Sequence, residues 1–458
     1  MAKDPDVVII GAGMAGLAAA CDLGRAGLSV SILEARDRIG GRVLTQRDPA
    51  CESPIELGAE FIHGRPGEIL NPLRTAGATF HEVEGDNWCA LNGRLAACNF
   101  FSDVDSILRA MDDSLPDESF LAFLERSYAN PRTKKLRQAK QQALGYVSGF
   151  NAADPAKVGV HWLVEQIRAE EKIQGDRAFR SQNGYEDLLS IFRRQIADRG
   201  VEVRTANVVQ SIDWRRGHAR VTVHSSQGSS TLDAPRVVVT LPLSLVKAPP
   251  GQLGAIRLTP GLPQQKVAAL EHLEMGKAIR LVLRFRERFW ESVKPSPRAR
   301  RNLANLAFLF SRDQWFPTWW TSMPRKAPII TGWAPFRSAE RLSGQSESFV
   351  VERSLETLSH LLGPSARELR KLLEAAYFHD WEQDPFSRGA YSYGKVAAVG
   401  AQHALAAPLK STVFFAGEAT DTSGHNGTVH GAIASGYRAA AEIFGGVDGF
   451  SPPMAAES

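Results

Sequence analysis

The chain has 458 residues, 43% of them hydrophobic and 23% charged, with a formal net charge of +4 at pH 7. This is the composition of a globular protein with sizeable cores, and the length favours two interleaved domains over one. So mild a charge makes no polyanion-binding arm, so nucleic acid is not an expected partner. No run of about 18 apolar residues appears, and no membrane span is expected.

Taken in order, the chain opens on a buried-strand pattern, Val7 to Ile10, followed at once by Gly11, Gly13 and Gly16. An Ala- and Leu-rich helix follows from Met14 to Arg25, Gly27 ends it, and a second strand runs from Leu28 to Leu33 and stops at Glu34. Glycines in this spacing give a tight turn, close backbone approach to a pyrophosphate and close helix–strand contact. The helix N-terminus then favours the phosphates. An acid about 20 residues past the first glycine suits a ribose. The reading is a dinucleotide site, with Gly11, Gly13, Met14, Ala15 and Gly16 at the pyrophosphate and Glu34, Ala35 and Arg36 at the ribose. The next segment, Arg38-Ile39-Gly40-Gly41-Arg42-Val43, offers a second glycine approach flanked by guanidiniums. Here the sequence resembles the large flavoprotein group that holds the amine oxidases. That resemblance implies FAD as the dinucleotide, with Gly41 and Arg42 among its contacts.

Ile55 to Gly64 reads as a strand and loop that carries Glu60 and His63. It resembles the Leu-Gly-Ala-x-x-Ile-His-Gly segment of animal-type polyamine oxidases. The resemblance implies that Gly58, Ala59 and Glu60 lie near the flavin, that His63 reaches a substrate channel, and that Glu60 is a candidate for a distal ammonium. Helical spacing over Val104 to Met111, Phe120 to Ser127 and Lys134 to Val147, broken by Pro116 and Pro131, predicts a helical lid. Lys134, Lys135, Arg137 and Lys140 read as a solvated face of it. Asn183-Gly184-Tyr185 precedes a helix through Ile196 and resembles the family's Gly-Gly-Tyr turn.

Val201 to Ala206, Val208 to Trp214 and Ala219 to His224 alternate like antiparallel strands, Ser225 to Ser230 reads as a turn, and Val237 to Leu241 as a buried strand. The resemblance implies that Val209 packs near the adenine. Ala278 to Phe285 alternates, with Ile279, Leu281, Leu283 and Phe285 on one face and Arg280, Arg284 and Arg286 on the other. This frame looks like the family's strand ending in Phe-Trp, in which a lysine ten residues before the Trp contacts a water at the flavin. Counting back from Trp290 gives Arg280 instead. An arginine holds a water or a carboxylate but does not cycle its proton. Lys277 falls on the opposite face of a regular strand. The basic run from Lys294 to Arg301 reads as a solvated loop, and Trp315, Phe316, Trp319 and Trp320 as core or channel wall.

Near the end come Trp381, Gly389-Ala390-Tyr391-Ser392-Tyr393, a strand running into Gly417-Glu418, and Gly427-Thr428-Val429-His430-Gly431 at the start of a helix through Ala441. These blocks resemble the polyamine oxidases and the lysine-specific histone demethylases. The resemblance implies that Trp381, Gly417, Glu418, Thr428 and Val429 contact FAD. It also implies that Tyr391 and Thr428 flank the amine, a cage with one aromatic wall. Ala390 stands where monoamine oxidases carry their flavin-linking cysteine, so FAD is expected to be noncovalent.

The expected fold is mixed α/β (α+β). A Rossmann-like FAD-binding domain uses residues 1–75, 196–245 and 376–458, and a mixed-sheet substrate domain with a helical lid uses 76–195 and 246–375. The expected activity is FAD-dependent oxidation of a polyamine by hydride transfer, giving an imine that hydrolyses to aldehyde and amine, with O2 reduced to H2O2. Tyr391, Thr428, His63, Arg280 and Glu60 are the candidate catalytic residues, and no metal is expected. Alternatives are a monoamine or L-amino-acid oxidase with Arg280 as carboxylate anchor, a complex-forming flavoprotein resembling the demethylases, and an amine dehydrogenase with poor O2 reactivity. Cys21, Cys51, Cys89 and Cys98 show no metal spacing and read as free thiols in a reducing compartment. With no apolar leader before the first strand and no anchor after the last helix, a soluble cytoplasmic monomer or homodimer is expected.

Overall fold

The runs Val7–Ile10 and Val30–Leu33 are buried along their whole length, as strands covered on both faces must be. In the computed structural model, which describes residues 4–91, 93–295 and 302–445, they sit in a five-stranded sheet. Its order is Glu202–Arg204, Val30–Leu33, Val7–Ile10, Arg236–Val239, Val413–Phe415. Every neighbouring pair in it is parallel. Strands from residue 7 to residue 415 thus meet in one sheet. Helix Met14–Arg25 covers one face together with the C-terminal helix Val429–Gly445, and the two pack at glycine distance: a Cβ on Gly436 would lie 2.3 Å from the Ala15 carbonyl oxygen.

The strand expected over Val201 to Ala206 is present, but as Glu202–Arg204 it runs parallel to Val30–Leu33 rather than in the antiparallel group. It follows helix Glu186–Ala197 and joins the edge of the five-stranded sheet beside Val30–Leu33. Alternation alone does not encode strand direction. Val208–Arg215 and His218–Ser225 do pair antiparallel. A third strand, Gly228–Ala234, continues that group from within the segment read as a turn.

A seven-stranded mixed sheet forms the second body. Its order is Leu373–His379, Ala278–Phe285, Ile329–Pro335, Thr318–Thr321, Leu306–Ser311, Asp86–Leu91, Arg94–Ala97, with one parallel pair, Leu306–Ser311 on Asp86–Leu91. Ile279, Leu281, Leu283 and Phe285 enter an aromatic-rich core with Phe316, Trp319 and Trp290, so the expected face of this strand is the buried one. The helical insertion comprises Phe100–Leu108, Phe120–Ser127, Lys134–Phe150 and Val160–Lys172, the second and third capped by Ser119 and Thr133. It has its own core around Phe120, Phe123 and Trp162. Lys134, Lys135 and Arg137 are exposed, whereas Lys140 donates to the Tyr128 carbonyl at 2.8 Å. Most of the basic run from Lys294 (296–301) and the chain from residue 446 lie outside the described residues. Among the described residues no helix is long and apolar enough to cross a membrane.

The cysteines differ from expectation. Cys21 and Cys51 are free, but Cys89 and Cys98 form a disulfide with their Cα atoms 5.8 Å apart. The hairpin Asp86–Leu91/Arg94–Ala97 is the reason: Cys89 pairs opposite Ala96, and the Cys98 amide donates to the Asn87 carbonyl at 3.0 Å, so the two side chains meet across the ladder. The bridge closes a separation of nine residues, which corresponds to about 2–3 kcal/mol in the chain-entropy account. Reductant is expected to lower the Tm, and Cys98→Ser to show the lowered Tm without reductant and no further drop with it. A wild-type Tm indifferent to reductant would mean that the bridge adds no stability.

Glu56, at the end of the strand Cys51–Glu56, ties this region to the Tyr185 turn. It accepts from the Tyr185 amide at 2.6 Å and from the Thr45 hydroxyl at 2.9 Å. Burial pushes its carboxyl up to about 8, against the lowering by those two hydrogen bonds. The folded state therefore keeps a proton that the unfolded chain loses above about 4.5. Stability contributed by this group falls as pH rises through that window. Glu56→Gln is expected to flatten the Tm–pH curve between about 4.5 and 8. An unchanged slope would show that Glu56 does not carry it.

Candidate active site

One cavity of about 1120 Å³ runs from the first glycine turn to the helical insertion. At its inner end the two glycine segments meet backbone to backbone. The Gly40 amide donates to the Ala12 carbonyl at 2.8 Å, and a Cβ on Gly41 would lie 3.2 Å from the Cα of Gly13. Gly11 has φ +102°, and a Cβ on Gly13 would meet nothing within 4 Å, which leaves the backbone open to a phosphate. Gly16 does different work: a Cβ there would lie 2.0 Å from the Gly11 carbonyl oxygen, so it sets how closely helix and turn approach. Glu34 is buried and fixed by the Ala12 amide at 2.8 Å and the Arg36 amide at 2.9 Å. Arg36 in turn pairs with Asp384 at 2.7 Å. Ala35, Val209 and Trp381 are on the same wall, and the Trp381 indole is held by the Leu57 carbonyl at 2.8 Å. A long cleft with an open glycine turn, a fixed acid and a helix N-terminus fits a dinucleotide.

Glu418 joins this end to the rest. Buried itself, it accepts from Arg42 Nη1 at 2.9 Å, from the Ser392 hydroxyl at 2.5 Å and amide at 3.2 Å, and from the Gly427 amide at 3.1 Å. Arg42 also donates to the Ala390 carbonyl at 2.7 Å. Gly58 lies beneath it, where a Cβ would fall 1.9 Å from the Arg42 carbonyl oxygen. Gly417, Met14, Ala15, Ala59 and Val429 line the cavity around this junction.

Further along, Tyr391, Thr428, His63, Arg280 and Glu60 all reach the same cavity. The Tyr391 hydroxyl donates to the Phe150 carbonyl at 2.6 Å, which ties it to the end of helix Lys134–Phe150. The Thr428 hydroxyl accepts from the Gly431 amide at 2.9 Å and donates to the His425 carbonyl at 2.7 Å, so it caps the C-terminal helix. Burial lowers His63 to about 4 and His430 well below the ordinary range, so both rings are neutral near pH 7. His430 Nε2 is buried without a partner.

Arg280 points into the cavity, its guanidinium 5.2 Å from the Trp320 ring and 5.7 Å from Trp333. Its Nη1 lies 3.2 Å from Glu60 Oε2 and donates to the Glu56 carbonyl at 3.2 Å, while its Nε is buried and unpartnered. Glu60 also receives Arg180 Nε at 2.7 Å and the Trp320 indole at 2.9 Å. Two guanidiniums and an indole thus surround this carboxylate, the one expected to meet a distal ammonium. Lys277 is turned away and pairs with Glu382 at 2.7 Å.

Beside the expected Tyr391 wall, further aromatic rings line the cavity. Tyr146 and Phe150, stacked at 5.0 Å, come from helix Lys134–Phe150 and join Tyr391, Phe61, Phe308 and Trp320 around the cavity. Their i, i+4 spacing was the signal for a shared face, but the helix was expected to end at Val147. Of the Trp315–Trp320 cluster, Phe316 and Trp319 are core and Trp320 is wall.

A family profile for flavin containing amine oxidoreductases matches residues 14–92 and 93–444. Polyamine oxidase 4 of Oryza sativa subsp. japonica is 28% identical over 96% of this chain and 89% of its own length. Lysine-specific histone demethylase 1 homolog 1 of the same plant is 30% identical over 96% of this chain, which spans 52% of that protein. Solved structures of putrescine oxidase bound to putrescine (TM-score 0.78, 20% identity, 96% of this chain and 99% of that one) and of cyclohexylamine oxidase from Brevibacterium oxydans (TM-score 0.76, 21% identity, the same coverage) share the fold. The chain belongs to the flavin-containing amine oxidoreductases, enzymes acting on amines, and FAD is the cofactor that the glycine turns and Glu34 are built to hold.

Proposed function

We propose that the protein oxidises a di- or polyamine, with FAD held noncovalently and O2 reduced to H2O2. The observation that carries the substrate class is the charge of the outer cavity wall. Residues 82–109 and 170–177 contribute Glu82, Glu84, Asp105, Glu170, Glu171 and Asp176 against Arg109 and Arg177, in a chain whose net charge is positive. Such a wall concentrates polycations. The inner wall is aromatic and excludes water. It thereby favours the neutral amine, the form able to give up hydride.

FAD, when bound, supplies the hydride acceptor. The chain's own part is to hold the amine's carbon against it. The Tyr391 ring, fixed through Phe150, limits where the nitrogen lies, and neutral His63 adds no competing charge. Thr428 shapes the opposite side as a helix cap. The imine product hydrolyses to aldehyde and amine. Ala390 offers no nucleophile for a covalent flavin link. Residues 1–75, 196–245 and 376–458 act as the cofactor body, and 76–195 and 246–375 as the substrate body.

An L-amino-acid oxidase would need a free guanidinium for the carboxylate, and Arg280 is already engaged by Glu60 and the Glu56 carbonyl. A dehydrogenase reading rests on Arg280 standing where the family has a lysine. The purified yellow protein, mixed anaerobically with spermine or 1,4-diaminobutane, is expected to lose its visible flavin absorbance. On readmission of air it is expected to release one peroxide per amine oxidised. Bleaching only by an L-amino acid or a plain alkylamine would sink the polyamine assignment, and bleaching without peroxide would move the protein to the dehydrogenases.

A further inference from the structure

The Cys89–Cys98 bridge lies directly behind the wall of the cavity. Its two cysteines share one apolar cluster with Phe100, Val104, Leu108, Tyr146, Phe308 and Phe310, and each of these partners lines the cavity. Three elements meet there. Cys89 belongs to the strand Asp86–Leu91, and Cys98 directly follows Arg94–Ala97, the edge strand of the seven-stranded sheet. Helix Phe100–Leu108 begins two residues after Cys98, and Asn99 at its N-cap makes no side-chain cap bond. That leaves the bridge, the Cys98 amide and the Phe100 ring, stacked on Phe310 at 3.8 Å, to fix where the helix starts. Gln142 of helix Lys134–Phe150 completes the junction, its amide nitrogen 3.8 Å from Cys89 Sγ.

The two cysteines differ in exposure. Cys89 is buried, whereas Cys98 is partly exposed between exposed Ala97 and Asn99. A thiolate arriving from solvent therefore has access to Cys98, and attack there displaces the buried Cys89 sulfur. The open form also has a place for the new thiol. Gln142 Oε1 is buried without a partner, and a reduced Cys89 brings an S–H donor beside that amide.

We propose that Cys89–Cys98 is a reversible redox modification site whose state sets how firmly the cavity wall closes on an amine. A dithiol opens it: one thiolate attacks Cys98 Sγ, and the S–S bond breaks with its electron pair on Cys89. The second thiol then resolves the mixed disulfide, leaving two cysteine thiols and an oxidised dithiol. Peroxide closes it. The Cys98 thiolate takes one oxygen of H2O2 as a sulfenic acid, releasing hydroxide, which takes up the proton that thiol had lost. Cys89 then displaces the sulfenic oxygen as water, so two thiols and one H2O2 give one disulfide and two waters. Only closure by the enzyme's own product rests on the oxidase reading above. With the bridge open, the start of helix Phe100–Leu108 is no longer tied to the strand Asp86–Leu91, and Phe100 and Val104 leave the wall part of the time. If the wall is formed in about a third of reduced molecules, KM rises about threefold. Tyr391 is outside this cluster, so kcat is little affected.

The test compares thiol content and KM of the FAD-loaded enzyme before and after dithiothreitol, added and then removed, with flavin content and Tm as folding checks. Titration in denaturant is expected to find Cys21 and Cys51 before treatment and all four cysteines after it. KM for 1,4-diaminobutane, or for whichever amine bleaches the flavin, is expected to rise about threefold or more. Added H2O2 is expected to reverse both readings. Cys98→Ser is expected to keep the raised KM under either treatment, which assigns the effect to the bridge rather than to Cys21 or Cys51. A folded enzyme whose bridge resists dithiothreitol, or whose reduced form keeps the original KM, would overturn the proposal, as would failure of peroxide to close the bridge. Closure by added peroxide but not by turnover in air would support the site and count against the oxidase reading. Should Cys98→Ser not fold, reduced and reoxidised wild type from one preparation decide between the same outcomes.

Discussion

The Glu418 carboxylate is the junction on which the site depends. Through it, Arg42 from the second glycine segment, Ser392 beside Tyr391 and the Gly427 amide ahead of the last helix are fixed to one point, although Arg42 and Glu418 are 376 positions apart. None of these segments has enough local structure to hold itself. The strand Ser392–Gly394 has three residues and the turn at Glu418 is one 3₁₀ turn. Removing one partner of a buried, hydrogen-bonded ion pair costs about 3–5 kcal/mol, chiefly because the other charge is left without compensation. Here that loss would also release the Ala390 carbonyl and so the backbone that carries Tyr391. Cofactor cradle and substrate wall are therefore one structure.

A second polar network does the same for the facing sheet. Arg280 and Arg180 converge on Glu60, with the Trp320 indole completing the carboxylate's hydrogen bonds. Arg180 is itself anchored by the Thr321 and Met323 carbonyls at 3.0 and 2.7 Å. The planar fork of arginine suits this arrangement, whereas a lysine would reach one acceptor as a point charge. The substitution at this position is thus matched by its surroundings. With Glu56 protonated below about 8, two guanidiniums against one carboxylate leave a net positive charge beside the cavity.

What the sequence revealed follows the range of the interactions concerned. Helix Met14–Arg25 has the bounds read from composition and the Gly27 stop, because short-range propensity and two flanking strands fix it. Gly11, Gly13 and Gly16 were legible because their spacing sits between a strand and a helix of one short unit, and a Cβ on Gly16 would indeed meet Gly11 within it. The Cys89–Cys98 bridge was not, since it depends on hairpin register, and nothing in nine residues of spacing distinguishes a bridge from two thiols. Glu60 read as a free carboxylate because its partner Arg180 lies 120 positions away on Ala178–Ser181, a strand that carried no motif.

These two networks give the cavity a polarity along its length. At the inner end the excess charge is positive, and Arg280 and Tyr391 are close enough to influence each other's proton affinity. A cation there disfavours the ammonium form of a bound amine, adding to the desolvation imposed by Phe61, Phe150, Trp320 and Trp333. At the outer end the excess is negative. A diamine entering such a field has a lower free energy with its charged nitrogen outward and its neutral nitrogen inward than in the reverse orientation. On the proposed di- or polyamine reading, the same asymmetry would order the substrate and prepare its inner nitrogen for oxidation, because hydride leaves only a carbon beside an uncharged amine. On that reading, specificity and activation arise from one distribution of charge, set in part by the partners that Arg280 and Glu60 find.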